Sequence, residues 1–184
     1  ADATWTYTPA GRRATATYQI PGALPGTLET ITETYSYDVR DRISSVTATG
    51  SSGPRGHLTY TYDANSNRKT TTSVVGGTTT TATYGYDDSS RLDAVTDTLG
   101  RIYDLSYDAV GNRTGLAYPN GAQTTYGYNG LNRLTNLSTL QAGTPIQSYA
   151  FTLGPTGNRT QIAELDKAKV YTYDDLYRLT GEQL

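Results

Sequence analysis

Short segments in which apolar and polar residues alternate run through this chain and predict β-hairpins. In the segment 78–87, rich in Thr and Tyr, Tyr84 and Tyr86 stand two residues apart and therefore belong to one face of a strand. The Asp and Ser residues at 87–90 favour a turn, because their side chains bond nearby backbone groups. The segment 91–96 has apolar residues two apart again and predicts the returning strand.

The hairpin pattern repeats at a nearly constant interval. Tyr-x-Tyr-Asp, followed by Arg-Leu or Asn-Arg, occurs at 35–38, 60–63, 84–87 and 171–174, with weaker copies at 105–108, 126–129 and 149–152. With the second aromatic residue as anchor, the intervals are 21 to 25 residues. Such a period predicts a repeat architecture, in which each unit must stack on its neighbours to bury apolar surface.

The distance from the motif Asp to the following Arg alternates along the chain. It is four residues from Asp38, Asp87 and Asp174, but five from Asp63 and Asp108. We therefore expect short and long turns in alternation, with a bulged bend at the longer ones. The unit at 149–152 is expected to have a loop two residues longer, with Phe151 as its second aromatic residue. The segment 7–13 is expected to form a degenerate first unit.

Composition favours an all-β fold without a thick core. The chain of 184 residues has 17 Tyr, 34 Thr and 19 Gly, but one Phe, one Trp and neither Cys nor Met. Tyr and Thr suit a half-buried pleated surface, and only 35% of the residues are hydrophobic. No stretch keeps a helical period. The nearest exception, Ala163–Ala168, is expected to be a loop or a strand end.

Charge and hydropathy exclude several classes of function. A net charge of −2 and a pI near 5.3 argue against a nucleic-acid partner and against an electrostatic membrane anchor. No apolar run reaches the roughly 20 residues that a membrane-spanning helix needs, and we find no signal peptide. The absence of Cys excludes disulfides and thiolate metal sites.

Several of these motifs resemble the YD repeats of RHS proteins. The residues concerned are Tyr-x-Tyr-Asp-x-x-x-Arg-Leu at 84–92 and 171–179, Tyr-Asp-Ala-x-Gly-Asn-Arg-Thr at 107–114, Leu-Gly-Arg at 99–101 and Tyr-Pro-Asn-Gly at 118–121. The resemblance covers residues 30 to 184 well and the first 30 weakly. It implies an all-β fold: a twisted, curled antiparallel sheet of consecutive hairpins that forms a segment of a spiral β-shell. We expect one array over 1–184, cut from a longer protein.

The resemblance also implies a function. Proteins of this family include bacterial polymorphic toxins, insecticidal toxin complexes and teneurin-like proteins, in which the repeats enclose a toxic C-terminal domain or serve as an adhesion scaffold. Carbohydrate binding is also ascribed to members. Shell-forming relatives continue into a core segment with Asp-Pro motifs that cleaves itself. This chain contains no Asp-Pro, so self-cleavage is not carried over.

The repeat-motif residues are interpreted as structural. Each Asp is expected to accept turn amides, and each Arg to pair with the next hairpin or to stack on a Tyr ring. The set comprises Tyr35, Tyr37, Asp38, Arg42, Tyr60, Tyr62, Asp63, Arg68, Tyr84, Tyr86, Asp87, Arg91, Tyr107, Asp108, Arg113, Tyr126, Tyr128, Arg133, Phe151, Arg159, Tyr171, Tyr173, Asp174 and Arg178.

Residues that could carry chemistry are few. His57 is the sole histidine, and no second His or Cys exists to build a site around it. Asp63, Asn65 and Asn67 resemble the start of a calcium loop, but Arg68 replaces the Gly of that pattern and Val74 its final Glu. We predict no catalytic residue, no cofactor and no metal.

The sequence therefore predicts a non-enzymatic wall segment of a larger bacterial protein, secreted or at the cell surface. Its predicted partners are the flanking repeats and an encapsulated toxin domain. The alternative is a carbohydrate-binding or adhesion module that uses exposed tyrosines. Open edge strands predict edge-to-edge self-association.

Overall fold

The computed structural model describes residues 3–184, and every regular element in that range is a β-strand. This confirms the prediction of an all-β fold built from antiparallel hairpins. Contacts divide the chain into two compact units, unit 1 up to Gly100 and unit 2 from Arg101 onward. No helix in the described range is long and apolar enough to cross a membrane.

Unit 1 is an antiparallel sheet in which each strand pairs with its neighbours in chain order. Its strands are β1 (Thr4–Tyr7), β2 (Arg13–Pro21), β3 (Leu28–Tyr37), β4 (Ile43–Gly50), β5 (Gly53–Tyr62), β6 (Arg68–Val75), β7 (Thr78–Tyr86) and β8 (Leu92–Thr96).

Unit 2 follows the same rule. Its strands are β9 (Ile102–Tyr107), β10 (Arg113–Ala117), β11 (Ala122–Tyr128), β12 (Leu134–Gln141), β13 (Thr144–Leu153), β14 (Arg159–Ala163), β15 (Ala168–Tyr173) and β16 (Leu179–Gln183). The segment 164–167 is a loop between β14 and β15, as the sequence predicted.

The two faces of unit 1 differ in chemistry, because alternate residues of a strand face opposite sides. Along β3, Ile31, Glu33 and Tyr35 share one face, which we call the tyrosine face. Tyr35 pairs there with Val46 of β4. Ala16, which pairs with Glu33, and Ile31 are buried on it at 5% and 4% exposure. This face supplies the thin core of unit 1.

The other face of unit 1, the threonine face, is lined by hydroxyl groups. Neighbouring strands exchange hydrogen bonds of 2.6–3.3 Å in the pairs Thr6–Thr15, Thr17–Thr32, Thr61–Thr70 and Thr72–Thr81. β-Branched Thr suits a pleated surface, and its hydroxyl finds a partner across the strand gap. The sheet is therefore held by side chains as well as by its backbone ladder.

Candidate functional site

The repeated motif forms a turn of constant geometry at one edge of the hairpins, which we call the motif edge. In each turn, the backbone N–H of the first residue donates to the carbonyl of the fifth. The N–H of the fourth residue donates to the carbonyl of the first. These turns span residues 8–12, 38–42, 63–67, 87–91, 108–112, 129–133, 154–158 and 174–178.

The fourth residue of every motif turn has a left-handed backbone. It is Gly11, Gly111 or Gly157 in three turns and a non-glycine residue in the others, as at Asp41 with φ of 67°. A turn followed by a left-handed residue is the usual three-residue hairpin loop, and it creates a β-bulge. Accordingly, the strand register shifts beside all eight turns.

This uniform geometry corrects two expectations. Short and long turns do not alternate, and the bulge is not confined to half of them. From the turn at 38–42 onward, what alternates is the fifth residue; in the first turn, 8–12, the fifth residue is Arg12, which Arg13 follows. The alternating residue is Arg in the turns at 38–42, 87–91, 129–133 and 174–178, which we call arginine turns. It is Asn, followed by Arg, in the turns at 63–67, 108–112 and 154–158, which we call asparagine turns.

The assignment of Phe151 as a second aromatic residue was also wrong. The turn of its hairpin begins at Gly154, and the register shift falls between Thr152 and Leu153. Leu153 therefore occupies the place of the second Tyr, and Phe151 that of the first. The expected extra loop residues belong to β13, and the turn itself has the standard length.

In every motif turn except 154–158, which begins with Gly154, the side chain of the first residue caps the turn. The Asp38 carboxylate accepts the N–H groups of Arg40 and Arg42 at 2.9 and 3.0 Å, and the Arg42 Nε–H at 2.8 Å. In an asparagine turn, the Asn67 amide takes the place of the guanidinium and donates to Asp63 at 3.0 Å. The arginine thus pairs with the Asp of its own turn, and not only with the next hairpin as expected.

These bonds stabilise the ionised carboxylates. The side-chain bond from Arg42 lowers the pKa of Asp38, and that from Asn112 lowers the pKa of Asp108. For Asp87 and Asp174, backbone N–H donors are the largest cause of the lowered pKa. For Asp63, burial opposes the change, but the bonds from Asn67 prevail and the pKa is lowered.

The second tyrosine of the motif ties each repeat to the one before it. Its hydroxyl donates to the carbonyl of the residue that follows the preceding motif turn. Five such bonds measure 2.7–3.0 Å, namely Tyr37 to Arg13, Tyr62 to Ile43, Tyr86 to Arg68, Tyr128 to Arg113 and Tyr173 to Arg159. At Leu153 the sequence provides no hydroxyl for this bond.

Arginine side chains cover the aromatic rings. The Arg42 guanidinium lies 4.1 Å from the ring centroid of Tyr62 in the following repeat. The arginines after the asparagine turns lie over the first aromatic residue of an adjacent strand. These contacts are Arg68 over Tyr60 at 4.7 Å, Arg113 over Tyr126 at 4.4 Å and Arg159 over Phe151 at 4.7 Å.

Neighbouring turns also contact one another along the motif edge. Arg12 pairs with Asp41, and Arg40 donates to the Ala64 carbonyl at 2.9 Å. In unit 2, the Asn112 amide donates to Asn132 at 3.0 Å, and Arg133 donates to the Pro155 carbonyl at 3.2 Å. The motif residues thus form a row of mutual contacts.

The tyrosines of the motif are half-buried in this row. Among exposed large side chains, the only tyrosines in the described range are Tyr7 and Tyr177, at 64% and 60%. An open hollow of about 440 Å³ lies on the tyrosine face, lined by Tyr62, Arg68, Tyr84 and their neighbours Ser66, Tyr86 and Leu92.

The other residues that could carry chemistry lie apart. Nδ1 of His57 is 2.8 Å from the Thr47 hydroxyl, within the sheet. Asp63 and Asn67 are bonded to each other inside a motif turn. No group of three or more His, Asp or Glu residues able to hold a metal occurs in the described range.

Two clusters, each centred on one glutamate, were not predicted from the sequence. Glu29 is 6% exposed, accepts the Ser52 hydroxyl at 2.6 Å and pairs with Arg55. Both partners lie more than 20 residues away in non-repeated segments, so no periodic signal marks the cluster.

In the second cluster, Glu33 accepts the hydroxyls of Tyr18, at 3.0 Å, and of Tyr35. The bond to Glu33 raises the pKa of both tyrosines. The sequence signal for this cluster was the position of Glu33, two residues before Tyr35 and therefore on the same face of the strand.

Comparison with known proteins gives a matching family and several relatives. The RHS Repeat family model matches residues 86–123 and again 107–144. The tRNA nuclease WapA of Bacillus subtilis (strain 168) is 31% identical over 117 residues. That match covers 64% of this chain, and the chain spans 4% of the length of that relative.

Solved structures with similarity include two toxin assemblies and a porin-like protein. TcdB2-TccC3 is 14% identical, with 96% of this chain and 13% of that chain covered and a TM-score of 0.44. The Photorhabdus luminescens Tc holotoxin pore is 15% identical, with coverage of 96% and 13% and a TM-score of 0.43. A porin-like protein from Bacteroides uniformis ATCC 8492 is 17% identical, with coverage of 98% and 86% and a TM-score of 0.43.

The family model and the geometry agree. Residues 86–144 match the RHS repeat, and the same capped turn and register shift occur in the hairpins on either side of that range. The resemblance to the RHS repeat that the sequence predicts is thus confirmed for residues 86–144.

Proposed function

We propose that this chain is a non-catalytic wall segment of a larger, secreted bacterial RHS-type toxin that encloses or delivers a C-terminal domain. The observation that carries the proposal is the bond from five of the second tyrosines to the preceding repeat, as from Tyr62 to Ile43. A group held in this way supports the sheet, and its hydroxyl is occupied by a backbone carbonyl. The proposed partners are therefore the flanking repeats and the enclosed domain.

The charged groups of the motif favour the same function. Acid–base catalysis needs a group whose pKa lies near the working pH. The motif carboxylates are shifted the other way, because turn amides and the Arg42 or Asn112 side chains lower the pKa of Asp38 and Asp108. They are held in the ionised form, in which they close turns.

The similarity to WapA supports a toxin context. Its name describes a tRNA nuclease, and the match covers 4% of its length. We propose that any such activity in the parent of this chain lies outside the repeats. Secretion belongs to the same proposal.

The proposal is tested by weakening the wall of the parent protein. Tyr62→Phe, Tyr86→Phe and Tyr128→Phe together remove three inter-repeat bonds. We expect the parent to lose its C-terminal domain to protease at a lower temperature, while the activity of the separately expressed domain is unchanged. The matched control is Tyr177→Phe, since that exposed hydroxyl makes no bond within residues 3–184.

An enzymatic function of the repeats makes the opposite prediction. The chain of 184 residues alone would then cleave tRNA, and the triple variant would lose that activity without a change in melting temperature. Such a result would refute the wall function.

A second function, carbohydrate binding, is favoured by the hollow beside Arg68. Its volume of about 440 Å³ and its tyrosine lining suit a sugar ring, whose apolar face stacks on aromatic side chains. Titration with a saccharide library should show binding that Tyr84→Ala abolishes and Tyr103→Ala, in unit 2, retains. Absence of binding at millimolar saccharide would remove this alternative.

A further inference from the structure

The motif turn at 129–133, in unit 2, begins with asparagine where five of the other turns begin with aspartate. We propose that Asn129 is a site of spontaneous modification, at which the backbone nitrogen of Gly130 attacks the side-chain amide. Ammonia leaves, and the residue becomes aspartate or isoaspartate. This proposal does not depend on the wall function or on what the parent protein encloses.

Asparagine followed by glycine is the dipeptide most prone to this reaction. Glycine has no Cβ to shield its own nitrogen, and its backbone is free to bring that nitrogen to the side chain. The chain contains two such dipeptides, Asn120-Gly121 and Asn129-Gly130, both in unit 2. They lie in turns with the same two backbone bonds, 118–122 and 129–133, but at different places in those turns.

The two glycine nitrogens differ in their hydrogen bonding. Gly121 is the fourth residue of its turn, and its N–H donates to the Tyr118 carbonyl at 2.9 Å. Gly130 is the second residue of its turn, and its N–H makes no hydrogen bond within residues 3–184. The nitrogen of Gly130 can therefore lose its proton and attack without breaking a bond of the turn, whereas that of Gly121 cannot.

The two side-chain amides differ in the same sense. Oδ1 of Asn129 accepts the N–H groups of Leu131 and Arg133 at 3.0 and 3.1 Å. Oδ1 of Asn120 accepts one such bond in the described range, from Ala122 at 3.1 Å. In both cases the bond to the residue two positions on folds the side chain back over the following peptide, toward the glycine nitrogen. During the attack negative charge gathers on Oδ1, and two N–H donors stabilise it better than one.

The reaction needs only water as a co-reactant. A bond forms between the Gly130 nitrogen and Cγ of Asn129, and the bond between Cγ and Nδ2 breaks. Nδ2 leaves as ammonia with the proton from Gly130, and a cyclic imide remains. Water then breaks one of the imide's carbonyl–nitrogen bonds: cleavage of the new bond gives aspartate, and cleavage of the original peptide bond gives isoaspartate. Water reaches the imide because Gly130 is exposed and no neighbouring atom lies within 4 Å of its Cβ position.

Aspartate at this position completes the turn as it is built elsewhere. In the turn that begins with Asp38, one carboxylate oxygen accepts backbone N–H groups and the other accepts the Arg42 Nε–H at 2.8 Å. Asn129 carries an amino group in place of the second oxygen, and the Arg133 guanidinium donates to the Pro155 carbonyl at 3.2 Å. The aspartate product supplies the second oxygen, so Arg133 gains a partner in its own turn and a motif Asp is created after synthesis.

Ageing of the folded chain tests the proposal, because one peptide reports both sites. Trypsin releases residues 114–133, which contain Asn120 and Asn129 and no internal Lys or Arg. The protein is incubated at mildly alkaline pH and digested at intervals, and fragmentation in the mass spectrometer locates each exchange of NH2 for OH. We expect conversion at Asn129 to be severalfold faster than at Asn120. In urea, where both dipeptides are unfolded, we expect similar rates at the two sites.

Gly130→Ala is the matched variant, since its Cβ shields the attacking nitrogen while the open space around it leaves the turn intact. It should slow conversion at Asn129 severalfold and leave the rate at Asn120 unchanged. Equal rates at the two sites in the folded chain, or faster conversion at Asn120, would overturn the proposal. So would an Asn129 that stays intact in the folded chain while it converts in urea.

Discussion

The two edges of the hairpins are built by different rules. At the motif edge, all eight turns share one backbone geometry and one bulge, and five of them are closed by a motif Asp. At the opposite edge, the connections range from Gly76-Gly77 between β6 and β7 to the segment 22–27 between β2 and β3. The motif edge is therefore uniform, whereas the connections at the opposite edge differ in length and, around Glu29, depend on long-range contacts.

The contacts at the opposite edge show the difference most clearly around Glu29. This carboxylate crosses the end of β4 to reach Ser52 and Arg55. A Cβ on Gly50 would collide with the Glu29 carboxylate, so the site needs glycine there. In unit 2, the same edge has instead an edge-to-face pair, Tyr103 and Tyr118, with ring centroids 6.2 Å apart. The connections at this edge therefore vary more than the motif turns, although the turn at 118–122 has the same two backbone bonds as a motif turn.

The largest expected effect is at the opposite edge. Glu29→Ala should lower the free energy of unfolding by about 2–3 kcal/mol, because it removes a buried acceptor and leaves Arg55 and Ser52 without it. Half of the Arg55 side chain remains in water, which keeps the cost below that of a fully buried pair. Urea unfolding measures the change.

The control for Glu29 lies in another connection of the same edge. Glu164→Ala removes a carboxylate 3.5 Å from Lys167, whose side chain is 52% exposed, and should cost less than about 1 kcal/mol. Equal effects of the two variants would mean that Glu29 is not an anchor of its edge.

The next effect concerns the left-handed residue of the motif turns. Gly11→Ala, at φ of 77°, should cost about 1–2 kcal/mol, because Cβ disfavours this backbone while no neighbouring atom lies within 4 Å. The converse change, Ser66→Gly at φ of 72°, should stabilise unit 1 by up to about 1 kcal/mol. Melting temperatures measure both.

Gly130→Ala provides the control for that pair. Gly130 is the second residue of its turn, has no left-handed backbone and has open space around Cβ. We expect a neutral or slightly stabilising change. A cost as large as that of Gly11→Ala would show that side-chain volume, and not backbone conformation, limits the turns.

A smaller effect is expected for single tyrosine hydroxyls. Tyr128→Phe removes the bond to the Arg113 carbonyl and should cost about 0.5–1.5 kcal/mol. Leu153→Tyr should have the opposite sign, since it restores a hydroxyl in the one repeat whose sequence lacks it. Unchanged stability in both variants would show that the bond contributes nothing to repeat stacking.

The smallest effect per turn is the acid sensitivity of the motif Asp residues. Their pKa is lower in the folded chain than the value of about 3.9 for an unfolded Asp. The resulting stability is present above that unfolded pKa and is lost as the pH falls through the folded pKa. Melting temperatures should therefore decline below about pH 4. Asp87→Asn should reduce the decline, because Asn129 caps its turn without titrating.

How much the sequence could predict follows the same division. The strands, the turns and the shared face of the tyrosines were readable, because each signal lies within about ten residues. The Glu29 cluster was not, since its partners come from separate hairpins. The position of Phe151 was misjudged because its aromatic ring resembled a second Tyr, while the turn that decides the register begins at Gly154.

The sequence did not predict the uniform backbone of the motif turns, for a related reason. Counting from Asp to Arg made Arg68 look like the counterpart of Arg42, although Asn67 holds that place in the hydrogen bonding. Spacing between like residues did not report the backbone, because two residue types close the same turn. Only the hydrogen bonds distinguish the arginines that donate to the Asp of their own turn, such as Arg42, from those that follow an asparagine turn, such as Arg68.

The pairing of strands strictly in chain order within each unit has a kinetic consequence. Every strand finds its partners in the segments just before and just after it, so the loops closed during folding stay short. Proteins with such local contacts fold fast, and repeat arrays can nucleate at any hairpin and propagate. A chain of this kind can acquire structure progressively as it emerges from a ribosome or a narrow channel, without waiting for its far end.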